Sequence, residues 1–239
     1  MTEPLFRADP YARIAEAVVT GVTDAGGLVL DRCLFYPTGG GQPGDSGWID
    51  WDGGHLPIAT AVKAGADAIA LVPAEPRALP PVGTVVAQRL DWDRRHLHMR
   101  VHTALHLLSV VIPRPVTGGQ IGAGKGRLDF DMPDAPGNTA ALDEALNALV
   151  ARDLAVTEDW ITDDELAANP GLVKTLSVMP PVGQGRVRLV RIGSGAGQVD
   201  LQPCGGTHVA RTAEIGTLRI ARIENKGRQN RRVSLVLDA

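Results

Sequence analysis

The chain has 239 residues, of which 44% are hydrophobic and 21% charged, and a formal net charge of −3. That length fits one domain with a smaller companion, and that composition excludes a disordered chain. No apolar run approaches the ~20 residues a membrane helix needs, and the start, MTEPLFRADPYARIAEAVV, lacks the basic opening and apolar centre of a signal peptide. A cytoplasmic protein with no membrane association and no obligate protein partner is therefore expected.

Residues 1–90 read as short β segments, RIAEAVVTGV, LVLDRCLFYP, GWIDWDG, PIATAVKAGADAIALV and TVVAQRLDW, separated by Gly, Pro and Asp clusters. This pattern suits a small barrel, with PAEPRALPPVG at 73–83 as a loop inside it. After Asp91 the character changes: RRHLHMRVHTALHLLSVVI has helical spacing and stops at Pro113. A hairpin is expected next, with strands near GGQIGAG and RLDFDM and a turn at Lys125 and Gly126. Asn138 or Thr139 can cap a helix whose Leu142, Leu146, Leu149 and Val150 share a face. VTEDWITD, a short DDELAAN helix ended by Pro170, and the strands RVRLVRIG, QVDLQPCGG, GTLRIARIENKG and RRVSLVLDA complete an α+β domain over 91–239.

His102 and His106 are spaced i, i+4 on the predicted helix, so both imidazoles project from one face within reach of a single ion. Cys204 and His208 repeat that spacing in PCGGTH, where Gly205 and Gly206 are expected to let the backbone turn back. A lone HxxxH is weak, and a lone Cys is usually a small buried hydrophobe. Three imidazoles and one thiolate together form a soft donor set suited to one Zn2+ per chain. His96 and His98 lie off that face and are read as surface or RNA-facing groups; His55, in a WDGGH turn, is expected to be exposed. Cys33 is far from Cys204 in sequence and context, which argues against a disulfide.

From Arg186 to Arg232 there are ten Lys or Arg against Asp200, Glu214 and Glu224, a local excess of seven positive charges in an acidic chain. A polyanion could be held there.

HTALHLL followed far downstream by DLQPCGGTHV resembles the editing domain of alanyl-tRNA synthetases and the free-standing AlaX editing proteins. LDRCLFYPTGGGQPGDSGWI is similar to their glycine-rich segment, and RTAEIGTLRIARIENKGRQNRRVSLVL to their closing strands. The resemblance runs from about residue 30 to the end, and the chain looks like the medium-length free-standing form, with no room for an aminoacylation domain. It implies a translation-factor-like barrel over 1–90 and the editing fold shared with threonyl-tRNA synthetase. It also implies hydrolysis of mischarged tRNA(Ala), with serine and also glycine as the amino acids removed. Where similar proteins usually carry Thr, associated with reading serine, this chain has Cys33; a thiol is a weaker hydrogen-bonding partner, and a plain buried strand residue is the other reading.

Hydrolysis of such an ester needs a positioned water and charge stabilisation at the carbonyl. Four protein ligands make a closed zinc site, whereas hydrolytic sites usually keep one position open, so either His208 yields or zinc anchors the substrate's amino group or a water. Gln42, after Gly40 and Gly41, is the first candidate at the ester, with Thr38 lining the same pocket. Asp45 either orients Gln42 or caps a turn, and Thr207 either faces substrate or completes its turn. Asp200 and Gln202 suit orientation of the ligands. Lys226, Arg228, Arg231 and Arg232, with Asn225 and Asn230, are expected at the tRNA backbone, extended by Arg94, Arg95 and Arg100. The competing functions are a non-catalytic tRNA-binding module with a structural zinc and a zinc hydrolase of small esters or amides.

Overall fold

The computed structural model describes residues 1–175 and 185–238, which form two compact units, Met1–Leu97 and His98–Ala239. In the first unit a two-residue strand β1 (Glu3–Pro4) and a single helical turn α1 (Leu5–Ala8) precede β2 (Ile14–Val22), β3 (Leu28–Leu30), β4 (Arg32–Cys33), β5 (Gly47–Trp51), β6 (Gly54–Ala64), β7 (Ala68–Pro73) and β8 (Val85–Leu90). Six of these close an antiparallel barrel in the order β2-β3-β7-β6-β5-β8, while β1 pairs in parallel with β4. Closure leaves the barrel no open edge. Alternation along β8 buries Val86, Gln88 and Leu90 and along β6 buries Leu56 and Ile58, so one face of each strand fills the interior. The buried amide of Gln88 is satisfied: its oxygen accepts from Leu34 N at 2.9 Å and its nitrogen donates to Arg32 O at 3.1 Å.

The expected barrel is present, and PIATAVKAGADAIALV divides into two strands about a turn at Gly65, whose φ is +68°. His55 is exposed as expected, although it lies in β6, where Nδ1 is 2.5 Å from Asp50 Oδ1.

A 20-residue helix, α2 (Trp92–Val111), follows; its residues to Leu97 belong to the first unit and those from His98 to the second. The second unit continues with β9 (Val116–Gly122), β10 (Lys125–Asp131), α3 (Thr139–Ala151), β11 (Val156–Thr162), α4 (Asp163–Ala168), β12 (Arg186–Ile192), β13 (Asp200–Pro203), β14 (Leu218–Asn225) and β15 (Asn230–Leu237). Two antiparallel sheets result, β14-β15-β10-β9 and β11-β12-β13. The architecture is thus a closed β-barrel followed by an α+β domain.

Caps fix the helices. Asn138 accepts from Ala141 N at the start of α3, and a capping box joins Thr162 and Glu165 at the start of α4. The edge strand β14 is covered by α3: Asn147 Oδ1 accepts from Leu218 N at 2.9 Å and Asp143 Oδ1 from Ile220 N at 2.5 Å. Those side chains satisfy backbone groups that would otherwise template another strand.

One local expectation is corrected. The β9–β10 turn falls at Ala123 and Gly124, not Lys125 and Gly126, because Gly124 is the residue at φ +72°. Gly126 instead lies within β10 against α2, where an added Cβ would come 2.6 Å from Val101 Cγ1 and 3.1 Å from Leu105 Cδ1. The missing side chain allows strand and helix to meet closely there.

Candidate metal centre and its surroundings

His102 and His106 point from one face of α2, as the i, i+4 spacing requires, and both are more than nine-tenths buried. Cys204 follows β13 directly, and His208 comes four residues later. The donor atoms of these four residues all lie within 4.8 Å of one another. Cys204 Sγ is 3.4 Å from His102 Nε2 and 3.2 Å from His208 Nε2, and the rings of His102 and His208 have centroids 4.1 Å apart.

Neighbours fix which ring nitrogen of two ligands is free. His106 Nδ1 is 2.8 Å from Asp200 Oδ2, so Nδ1–H donates to the carboxylate and Nε2 is the nitrogen turned to an ion. Thr103 Oγ1 donates to Met99 O at 3.0 Å and therefore accepts from His208 Nδ1 at 3.1 Å, with the same result. Gln202 Nε2 donates to Asp200 Oδ2 at 2.8 Å, which adds a second restraint on that carboxylate.

The turn between Cys204 and His208 is held differently from expectation. Neither Gly205 nor Gly206 uses the left-handed region. Arg188 on β12 instead donates to Cys204 O at 2.7 Å and Gly206 O at 3.0 Å, and its other nitrogen reaches Glu158 at 2.5 Å. A planar guanidinium suits this work because it presents several donors in a fixed fork.

Without an ion the cluster is strongly polarised. Burial opposes ionisation of Cys204, but the charges of His102 and His208 beside it bring its pKa well below the usual thiol value. Burial and the adjacent His102 hold His208 well below the usual histidine value. Burial likewise opposes charging of His106, yet hydrogen bonds to Asp200 and Cys204 carry it up to about 9. Asp200, despite its burial, is held at about 2, mainly by His106 and then by Lys174. Three imidazoles and a thiol held well below its usual pKa are a soft donor set that fits zinc, and a bound cation would displace the proton that His106 holds in the metal-free protein.

The glycine-rich turn belongs to the first unit. Gly40 and Gly41 take φ of +58° and +81°, and Gly39 and Gln42 exchange backbone hydrogen bonds at 3.1 and 3.0 Å. Gln42 is buried. Thr38 Oγ1 accepts from Gly44 N at 2.9 Å and lies 3.3 Å from Ala61 O, bracing the turn against β6. Asp45 accepts from Tyr36 N at 2.6 Å and forms a buried ion pair with Arg95, which also donates to Leu34 O at 2.8 Å and Pro10 O at 2.9 Å. Cys33 packs in the barrel core, its thiol directed at Phe35 O at 3.6 Å, and Thr207 is buried within its turn.

Several expectations about exposed groups are corrected. Arg95 is fully buried by the ion pair with Asp45 and cannot extend an RNA surface; His98 is 1% exposed, and His96 is half-buried and stacked on Trp92 with centroids 5.2 Å apart. Arg94 donates to Gly44 O at 3.0 Å and Arg100 to Ile215 O at 2.8 Å. The basic stretch from Arg186 to Arg232 is substantially neutralised by carboxylates outside it. Arg188 pairs with Glu158, Arg191 with Asp159, Arg211 with Asp153, Arg219 with Asp238 and Arg232 with Asp129. Arg231 donates to Asn225 Oδ1 and to the carbonyls of Gly227 and Asn230, and Asn230 donates to Thr117. Lys226 and Arg228 are exposed at the tip of the β14–β15 hairpin, with Asn225 beside them.

Sequence reasoning anticipated Asp200 and Gln202 but missed Thr103, Arg188 and Lys174. Thr103 was within sight, adjacent to His102 in HTALH; nothing in the local sequence marks the other two.

The chain that builds this closed barrel, α+β domain and buried three-histidine, one-cysteine cluster is related to domains of class II tRNA synthetases. Residues 187–234 match the threonyl and alanyl tRNA synthetase second additional domain, and residues 12–94 match the tRNA synthetases class II (A) family. The chain is 34% identical to the alanyl-tRNA editing protein AlaX-M of Methanosarcina acetivorans, with 99% of each chain covered. It is 33% identical to the Methanosarcina mazei AlaX-M over 98% of this chain and 95% of the relative. The alanine–tRNA ligase of Pyrobaculum arsenaticum is 33% identical over 93% of this chain, which spans 25% of that longer protein. The chain belongs to the family of AlaX-type alanyl-tRNA editing proteins, enzymes of the aminoacyl-tRNA deacylase class.

Proposed function

We propose that this chain removes serine, and secondarily glycine, from mischarged tRNA(Ala) by hydrolysing the aminoacyl ester, with one zinc ion at His102, His106, Cys204 and His208. The observation that carries this reading is the buried four-donor cluster with the Nδ1 protons of His106 and His208 already committed to Asp200 and Thr103. Alanyl-tRNA editing in its relatives gives the ester and the tRNA. Hydrolysis adds water across the ester, releasing the free amino acid and restoring the terminal hydroxyl of the tRNA.

When bound, zinc would supply Lewis acidity for a carbonyl or a water. The chain's own part is to keep the donor atoms converged: α2 supplies two from a rigid scaffold, and Arg188 holds the turn that carries the others. Within the glycine turn, Gln42 and Thr38 are assigned to the ester and its pocket from their sequence context, with Gly40, Gly41 and Asp45 as the frame and Thr207 beside the metal ligands. Cys33 is carried as a selectivity candidate on the same basis. Lys226 and Arg228 serve the phosphate backbone, aided by Arg231 and Arg232. The same reading places the protein in the cytoplasm, with its tRNA.

The test is deacylation of Ser-, Gly- and Ala-tRNA(Ala), with bound metal measured in the same preparations. Wild type should carry about one zinc per chain and release serine fastest, and Cys204→Ala should lose both metal and activity. Gln42→Ala should keep the metal while slowing hydrolysis by about a hundredfold or more, the usual lower end for losing a group that acts in the transition state. Stoichiometric zinc with no ester cleavage would sink the editing assignment, and cleavage at full rate after complete metal removal would sink the zinc.

A further inference from the structure

Lys174 lies between α4 and β12, in a stretch the metal reading does not otherwise use. Its backbone is fixed to the edge of the first sheet of the second unit: Val116 N donates to Lys174 O at 2.9 Å, and Thr175 forms a parallel bridge with Val116. Its ammonium reaches Asp200 Oδ1 at 2.5 Å, while the other oxygen of that carboxylate holds His106 Nδ1 at 2.8 Å. Asp200 itself begins β13 of the other sheet and is 3% exposed.

A buried carboxylate with one histidine partner can rotate, and rotation would release the imidazole or turn its Nε2 away from the other donors. Here Lys174 claims one oxygen, and His106 and Gln202 share the other, so the carboxylate plane is fixed from both sides. The cation also offsets the desolvation of Asp200, keeping it an anion that strengthens the imidazole as a donor.

We infer that Lys174 is a positioning residue of the metal centre, acting on His106 through Asp200 and anchored by its own backbone to β9. The inference rests on the zinc reading above. It assigns Lys174 no contact with substrate or ion: its effect is on how tightly and in what geometry the ion is held.

The decisive measurement is zinc affinity by chelator competition on the full chain, with the absorption spectrum of the cobalt-substituted protein as a second readout. Lys174→Met should weaken zinc binding about tenfold or more, the effect usual for loss of a group behind a metal ligand, and should alter the cobalt spectrum. Lys174→Arg, which keeps a cation on a long stem, should restore most of the affinity. Thermal unfolding of the metal-free variants separates this from misfolding: Lys174→Met should lose some stability with its ion pair to Asp200 yet still unfold in one cooperative transition well above the assay temperature. Equal zinc affinity and identical cobalt spectra in wild type and Lys174→Met would overturn the inference, as would failure of Lys174→Arg to rescue. If wild type itself binds no metal and Cys204→Ala changes nothing, the zinc reading fails instead.

Discussion

Cys33, 1% exposed with its thiol directed at the Phe35 carbonyl, is pushed up to about 12 by burial, whereas the histidines around Cys204 hold that thiol down. In metal-free protein at neutral pH an alkylating reagent should modify Cys204 and spare Cys33, and zinc should protect Cys204; mass spectrometry of the digested protein reads both. Rapid modification of Cys33 in folded protein would contradict its place in the core. The raised pKa also has a sign for stability. Between pH 9 and about 12 the unfolded chain loses the Cys33 proton while the folded chain retains it, so stability falls as pH rises through that window. Cys33→Ala should flatten that fall in a thermal melt series. If Cys33 sets selectivity, Cys33→Thr should shift the Ser/Gly preference in the same deacylation assay; an unchanged preference would retire that role and leave Cys33 a buried core residue.

The elements were legible in proportion to how local their causes are. The helix carrying HTALHLL, the capped α3 and the barrel strands follow from spacing and capping residues that lie within the elements themselves. The hairpin turn was misplaced by two residues because two glycines, Gly124 and Gly126, looked equivalent; only the second meets α2. Gly126→Ala tests that contact, because its Cβ would press on Val101 and Leu105, and overpacking of this kind costs about 1–3 kcal/mol. A drop in unfolding temperature with weaker zinc retention is expected, since the same helix presents His102 and His106. The convergence of His102, His106, Cys204 and His208 was readable because each half of the cluster is a short pattern. Arg188 and Lys174 were not, because their roles depend on which strands are neighbours. The basic stretch was overread for the same reason: Glu158, Asp159 and Asp153 come from β11 and the α3–β11 connection, and Asp129 from β10.

At the scale of the whole molecule, that neutralisation changes how the protein should meet RNA. If all ten cations of the stretch faced phosphate, log affinity would fall with log salt at a slope of about −9; with Lys226, Arg228, Arg231 and Arg232 alone, about −4 is expected. Titration of deacylated tRNA(Ala) at several salt concentrations measures it, and a slope near −9 would show that the ion pairs open on binding. The cluster itself has a consequence beyond chemistry. His102 and Cys204 are 102 positions apart, so an ion shared between them closes a loop that spans most of the second unit. In the unfolded chain that closure carries an entropic penalty, and the folded chain has already met it. Free zinc at a hundred times the dissociation constant would then add about 2.7 kcal/mol to the stability of that unit by mass action. A chelator should therefore lower the unfolding temperature of the wild type and have no effect on Cys204→Ala, making the persistence of the folded protein a function of how much zinc the cell leaves unclaimed.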